Sequence, residues 1–514
     1  MRLKNLLLIV VLISGICLQI NAQRTDKDLV EDLDAYFEKA LSDWNVPGMA
    51  IGIVKDNKLI MAEGYGIRQL GLKHKVDENT VFPIASNTKA FTAATLAFLV
   101  AEGKVDWDDK VRKHLPYFEL YNPYVSNNMT IRDLLSHRSG LKTFSGDLIW
   151  YGTTYSREEV VKRAKFLKPE FGFREYFGYQ NIMFIAAGEI VSAVSGKTWD
   201  EYLNEKIFDP LNMTSSVTST SYFDRMDNVA MPHTESDDKV VSIPHSNWDN
   251  IGGAGAINSN VLDMANWLKF QLNRGSFEGK ELIPAGILTE TWKPHTLQGV
   301  STFSRQLWPT THFKAYALGW GTSDYHGRKI ISHSGGYDGI ISYSCIVPEE
   351  NLGFVILTNK NSSLYYPLYY KILDSFLSDD DTDWSAKFLE FNQRNNAGKE
   401  QGKNAKEEAR VKGTETSLKL EDYCGTYGGK VYGNVEVKLI EDHLEVYFIP
   451  SPIFTGKLNH YHFDTFTIKL KDVPSLPEGT ARFILDEKGK PQQLVIDIPN
   501  PDFYFTELDL YKLD

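Results

Sequence analysis

The chain has 514 residues, of which 42% are apolar and 24% charged, with a formal net charge of −12 and only three cysteines. The length exceeds one ordinary core and predicts two or three structural parts, while the composition excludes a largely disordered chain. The acidic balance excludes nucleic acid and anionic lipid as natural partners, and the cysteines are too few and too scattered for a disulfide framework or a zinc cluster.

The first 22 residues read as a leader. Arg2 and Lys4 precede an apolar run from Leu6 to Ile13, and the tract ends at Ile20-Asn21-Ala22. This pattern predicts a bacterial secretory signal peptide over 1–22 and a periplasmic or secreted mature protein. The apolar core is too short for a membrane span, so none is expected after cleavage. Losing Arg2 and Lys4 takes the net charge from −12 to −14. Of the cysteines, Cys345 and Cys424 remain, both expected as buried small hydrophobes.

Leu29 to Trp44 carries the 3.6-residue period of a helix. Met49 to Val54 and Leu59 to Ala62 flank the polar turn Lys55-Asp56-Asn57-Lys58 and predict a hairpin. Phe91 to Val100 is continuously apolar and stops at Gly103, the pattern of a buried helix with a glycine end. Met183 to Val194 reads as a second buried helix. From Lys329 to Asn359 β-rich runs recur, and Tyr365 to Leu377 returns to helix. The order predicts an α+β fold, an α/β sandwich in which helices flank an antiparallel sheet, with a helical subdomain; its first and last strands would be neighbours.

From Ser378 the composition turns polar, predicting a linker over 379–416 that is partly helical around Trp384 to Phe391. From 417 to 514 short strands recur at close spacing, which predicts a small all-β, barrel-like domain. This tail is expected to shape the cleft of the preceding domain, 23–378, or to mediate self-association into a homo-oligomer.

Three S-x-x-K copies compete as a nucleophile motif: Ser86–Lys89, Ser139–Lys142 and Ser236–Lys239. Ser236 lies among acids in what reads as a solvated loop, and Ser139 precedes Gly140 in what reads as a turn. Only Ser86 opens a buried apolar helix. Residues three apart on a helix share a face, so Lys89 can reach the Ser86 hydroxyl. Burial lowers a lysine pKa and frees its amine to take the serine proton. Y-x-N also occurs three times, at Tyr179–Asn181, Tyr202–Asn204 and Tyr432–Asn434. Tyr179 alone follows a glycine- and aromatic-rich loop and precedes a buried helix. There its phenol could shuttle a proton if cations lower its pKa, and Asn181 could bind a substrate carbonyl. The third element is His333-Ser334-Gly335-Gly336, whose glycines leave a strand edge open to a substrate. His137 reads as a helix-end residue that bonds backbone. Trp150, Tyr151, Trp248 and Trp320 are either pocket walls or packing residues.

These three boxes, with Thr130–Leu141, Gly252–Ser259 and Leu318–Gly321 between them, resemble the serine β-lactamase-like family: class C β-lactamases, D-Ala-D-Ala carboxypeptidases, D-aminopeptidases and related esterases. The tail is similar to a lipocalin-like domain of unknown function. The resemblance implies Ser86 as nucleophile and Lys89 with Tyr179 as the proton-transfer pair. It also implies Asn181, His333, Ser334 and Gly335 as substrate contacts, and the N–H groups of Ser86 and Gly336 as an oxyanion hole. His333 stands where such β-lactamases carry lysine. A histidine is only partly charged near neutral pH, which points towards a peptidase or esterase on a small or peptide substrate. No cofactor or metal is implied: there is no H-E-x-x-H and no G-x-x-x-x-G-K-[ST] loop. The rival expectation is a catalytically inactive binding or sensing protein on the same fold.

Overall fold

The computed structural model describes residues 26–236 and 239–513. The predicted leader lies outside the described residues. The chain opens with helix α1 (Asp26–Asp43), then the hairpin β1 (Gly48–Lys55) and β2 (Lys58–Gly66). The buried helices are α2 (Thr88–Ala101), α3 (Asn181–Ser195) and α4 (Val261–Leu272). Strands β3 (Thr296–Gln298), β4 (Lys314–Tyr316), β5 (Gly321–Tyr325), β6 (Arg328–Tyr337), β7 (Ile340–Val347) and β8 (Leu352–Thr358) follow, then α5 (Tyr365–Leu377) and α6 (Trp384–Glu408).

An eight-stranded sheet runs in the order β2-β1-β8-β7-β6-β5-β4-β3, antiparallel throughout. The first and last strands of this domain are neighbours, with Met49 opposite Thr358 and Lys55 opposite Leu352. Alternation sorts their side chains. Met49, Ile51, Ile53, Phe354 and Ile356 meet α1 and α5 on one face. Ala50, Val54, Val355 and Leu357 meet α4 and the helical region on the other. Both faces are therefore buried, which is why these strands read as unbroken apolar runs. Helix α2 is apolar all round because it runs through the middle of the molecule; Phe91 stacks on Trp267 of α4 at a ring separation of 3.9 Å.

The polar stretch expected as a partly helical linker carries the 25-residue helix α6, which begins at the expected Trp384 and runs on past Phe391. The Asp383 carboxylate caps it by accepting the Ala386 N–H at 3.0 Å, and its first turns are tied down: Trp384 donates to Asp374 at 2.6 Å and Trp44 to Ser385 at 3.1 Å. Beyond Phe391 its sequence is almost wholly polar, so no apolar period announces it.

The tail closes into an eight-stranded antiparallel barrel, β9 (Gly425–Gly429), β10 (Gly433–Ile440), β11 (His443–Phe448), β12 (Thr455–His462), β13 (Thr465–Leu470), β14 (Gly479–Leu485), β15 (Pro491–Asp497) and β16 (Leu510–Lys512), paired in sequence order. Buried aromatics, among them Tyr427, Phe448, Phe466 and Phe483, fill it. Its core is continuous with that of the helical region, joined where Tyr151 packs on Phe454 and Phe503. Both Cys345 and Cys424 are free thiols; Cys345 is buried as expected, whereas Cys424 is only half-buried.

Candidate active site

Ser86 lies in the short 3-10 turn Ala85–Asn87 that feeds α2. Ala85 immediately before it has φ +46°, a backbone conformation that costs a non-glycine residue ~1–3 kcal/mol and persists only where the surroundings enforce it. Lys89, one turn on, is fully buried. Its Nζ lies 3.0 Å from Ser86 Oγ, 2.7 Å from Asn181 Oδ1 and 2.8 Å from the Ala254 carbonyl oxygen. Burial drives its amine well below the ordinary lysine value, opposed only by Asp147.

A neutral amine has two N–H donors and one lone pair. The two carbonyl-type oxygens of Asn181 and Ala254 can accept only, so they take both N–H groups. In that neutral form the third direction, towards Ser86 Oγ, is the lone pair, and the hydroxyl can donate to it. This is the geometry of a base facing its nucleophile.

Tyr179 enters from the loop before α3, with its hydroxyl beside Ser86. Lys89 Nζ is 4.8 Å from the centre of its ring. The sequence left room for cations to lower the Tyr179 pKa. The structure does the reverse: burial holds the phenol well above its ordinary value, and the neighbouring Ser86 offsets this only in part. The Asn181 amide, expected against substrate, is engaged inside the protein. Oδ1 accepts from Lys89, and Nδ2 donates to Asp147 Oδ2 at 2.7 Å. One amide hydrogen remains for a substrate.

Asp147 has no motif to announce it. Burial pushes its carboxyl up to about 8, so at neutral pH it is largely a neutral acid behind Asn181. Ala254, whose carbonyl completes the Lys89 cage, lies in the Gly252–Ser259 stretch that looked familial but carried no assigned role.

Strand β6 passes beside Ser86. A Cβ on Gly335 would sit 2.2 Å from the Ile84 carbonyl oxygen and 3.0 Å from Ser86 N, so glycine is required for this approach. A Cβ on Gly336 would meet nothing nearer than 3.8 Å. Strand β5 pairs with β6 only as far as Gly321 opposite Ser332, whereas β7 continues to Tyr337. From His333 onward one edge of β6 is thus unpaired and open to an extended ligand.

His333 is not the partly charged group that its bare pKa suggests. Its Nδ1 lies 2.6 Å from the Ser334 carbonyl oxygen and its Nε2 lies 2.8 Å from the Tyr316 hydroxyl. The carbonyl can only accept, so the proton sits on Nδ1 and Tyr316 donates to Nε2. Burial and the nearby Lys89 lower its pKa to about 3, so the ring is neutral. Ser334 itself is exposed.

His137 bonds backbone, accepting the Gln180 N–H on Nδ1 at 3.0 Å, and its ring lies 4.3 Å from that of Tyr179. The competing motif copies lie elsewhere. Ser236 ends a short strand, His233–Ser236, where a loop was expected. Ser139 accepts the Leu141 N–H in a turn. Tyr202 sits in the helix Trp199–Leu203, and the Tyr432 carbonyl accepts from Tyr155 at the barrel junction. Trp150, Tyr151, Trp248 and Trp320 are all buried packing residues. Among the described residues no group of three or more His, Cys, Asp or Glu is placed to hold a metal ion, and no helix is long and apolar enough to cross a membrane.

An antiparallel sheet between helical layers, with a serine, a lysine and a tyrosine meeting beside an open strand, defines the β-lactamase and penicillin-binding fold. The beta-lactamase family model matches residues 33–371, and the chain belongs to that family. A domain of unknown function, DUF3471, matches residues 409–512, from just after α6 through the barrel. The chain is 31% identical over 405 residues to the unguisins hydrolase ungD' of Aspergillus campestris, covering 74% of this chain and 71% of that one. It is 29% identical over 348 residues to Protein flp of Staphylococcus aureus, covering 67% and 66%. The octameric penicillin-binding protein homologue of Pyrococcus abyssi superposes with a TM-score of 0.61 at 21% identity, over 94% of this chain and all of that one.

Proposed function

We propose that the protein is a serine hydrolase that cleaves an ester or amide through an acyl-enzyme on Ser86. Lys89 is the base: its neutral amine takes the hydroxyl proton as Oγ bonds to the substrate carbonyl carbon. The N–H groups of Ser86 and Gly336 receive the developing oxyanion. Tyr179, with its raised pKa, is a poor base but a competent proton donor, and it protonates the leaving oxygen or nitrogen as that bond breaks. The Lys89 ammonium then returns its proton to the phenolate. Water, deprotonated by the same amine, attacks the acyl carbon; the bond to Oγ breaks as the Lys89 ammonium returns that proton to Oγ, releasing the acid and regenerating Ser86.

The observation that carries this reading is the Lys89 amine, caged by two acceptors with its third direction 3.0 Å from Ser86 Oγ. The neutral His333 supports a peptidase or esterase over an efficient β-lactamase, because it offers no cation to a substrate carboxylate. A similar chain named a hydrolase is in keeping with turnover rather than with an inactive binding protein. The leader supports export to a bacterial periplasm.

A screen of p-nitrophenyl esters, D-amino-acid amides and a chromogenic cephalosporin tests this. Turnover of an ester or amide that disappears in Ser86→Ala, with the cephalosporin a poorer substrate, is expected. Absence of turnover by the wild type, or equal rates in Ser86→Ala, overturns it.

A further inference from the structure

Glu507 belongs to the barrel yet touches the loop 142–147. One of its carboxylate oxygens accepts the Ser145 hydroxyl at 2.8 Å and the other the Gly146 N–H at 2.9 Å. The Lys142 ammonium lies 3.4 Å from the same carboxylate, and the Tyr504 ring centre lies 3.7 Å from that ammonium. This Lys142 closes the discarded Ser139–Lys142 motif; its partners are on the other domain.

The loop so held is the seat of the candidate machinery. Thr143 Oγ1 accepts the Tyr179 N–H at 3.1 Å, and the Phe144 N–H donates to the Tyr179 carbonyl at 2.8 Å. The Lys142 carbonyl accepts from the Gln180 side chain. Asp147 holds Asn181, which holds Lys89. The loop does not take this shape cheaply. Phe144 has φ +63° and Gly146 φ +80°, and the left-handed conformation is unfavourable for a residue with a Cβ. A carboxylate accepting from a backbone N–H and a hydroxyl in the same turn selects that shape.

We infer that Glu507 is a positioning residue: through the 142–147 loop the barrel holds Tyr179 and the Lys89–Asn181 pair in register with Ser86. The inference rests on the acyl-enzyme reading above. It makes the barrel a working part of the hydrolase, not an appendage.

The test compares full-length Glu507→Ala, Glu507→Gln and Tyr155→Phe. The Tyr155 hydroxyl crosses the same junction, donating to the Tyr432 carbonyl at 2.7 Å, away from the loop. Glu507→Ala is expected to lower kcat about ten-fold or more, with less effect on KM, since small displacements of reacting groups are costly. It should also shift the acid limb of the pH profile. Glu507→Gln keeps an acceptor and should recover much of the loss, and Tyr155→Phe should match the wild type. Hydrogen exchange read by mass spectrometry should show residues 142–147 and 177–181 loosened in Glu507→Ala alone. Unchanged exchange there, unchanged kinetics there, or the same losses in Tyr155→Phe overturns the inference. If the wild type turns over nothing, the acyl-enzyme reading fails instead, and loop exchange in Glu507→Ala still decides whether Glu507 holds the loop.

Discussion

The Lys89 amine reaches three oxygens and, when neutral, can donate to only two, so its protonation state and its role are one question. Protonation turns the lone pair into a third N–H and leaves Ser86 without a base. Activity must therefore fall as pH drops through the Lys89 pKa, and burial places that pKa well below the ordinary lysine value, which keeps the base free at lower pH. Lys89→Ala should lower kcat/KM about 10²- to 10⁴-fold, the usual worth of a positioned base, as measured by ester hydrolysis against pH. Asp147 calls for a paired test. If it acts as a largely neutral acid at pH 7, Asp147→Asn keeps an acceptor for Asn181 and stays active, whereas Asp147→Ala releases Asn181 and loses activity. Equal losses in both would show that its charge is what matters. His333 titrates with folding. Its pKa falls from 6.5 to about 3 in the folded chain, so between those values the unfolded state binds the extra proton. Stability from this group is full above pH 6.5 and is lost as pH falls towards 3, by about 1.4 kcal/mol per pH unit at most. Urea midpoints of wild type and His333→Gln should converge or cross on acidification from pH 7 to 4; a constant gap would contradict a neutral buried ring.

At the scale of elements, the site depends on how closely β6 passes the turn before α2. Gly335→Ala would push a methyl group into the Ile84 carbonyl. A shift of about 1 Å at a reacting group costs about a hundred-fold, so this variant should fold yet lose at least that much activity. Gly336→Ala has room for its methyl group and should keep its melting temperature. Elements with local signals could be read from sequence: the helix end at Gly103, the hairpin around Asp56, the apolar runs of β1 and β8. The boxes around Ser86, Tyr179 and His333 were visible for the same reason, each being contiguous. What was hidden is what only folding brings together. Asp147 and Tyr316 act on Asn181 and His333 from remote stretches, and Ala254 contributes a backbone carbonyl that no side chain advertises. In the barrel, β9 escaped notice because Gly425-Thr426-Tyr427-Gly428-Gly429 is glycine-rich, and β12 because its outward residues Lys457, Asn459 and His460 mask the alternation.

Over the whole molecule, the hydrolase domain and the barrel share one hydrophobic cluster, although the chain between them reads as a detachable linker. Tyr151 against Phe503 and Phe454, Gly152 against Ile453, and the Glu507 bonds all cross the junction. Cleavage in the polar half of α6 should therefore leave the two pieces associated, eluting together on size exclusion until denaturant is added. Separation without denaturant would contradict the shared core. A catalytic Ser86 must carry a covalent acyl group during turnover, and intact-mass spectrometry of the protein incubated with an activated ester or a fluorophosphonate reads this directly. A single adduct that maps to Ser86 and is absent from Ser86→Ala is the expected result. An unmodified wild type, or the same adduct on Ser86→Ala, would contradict it.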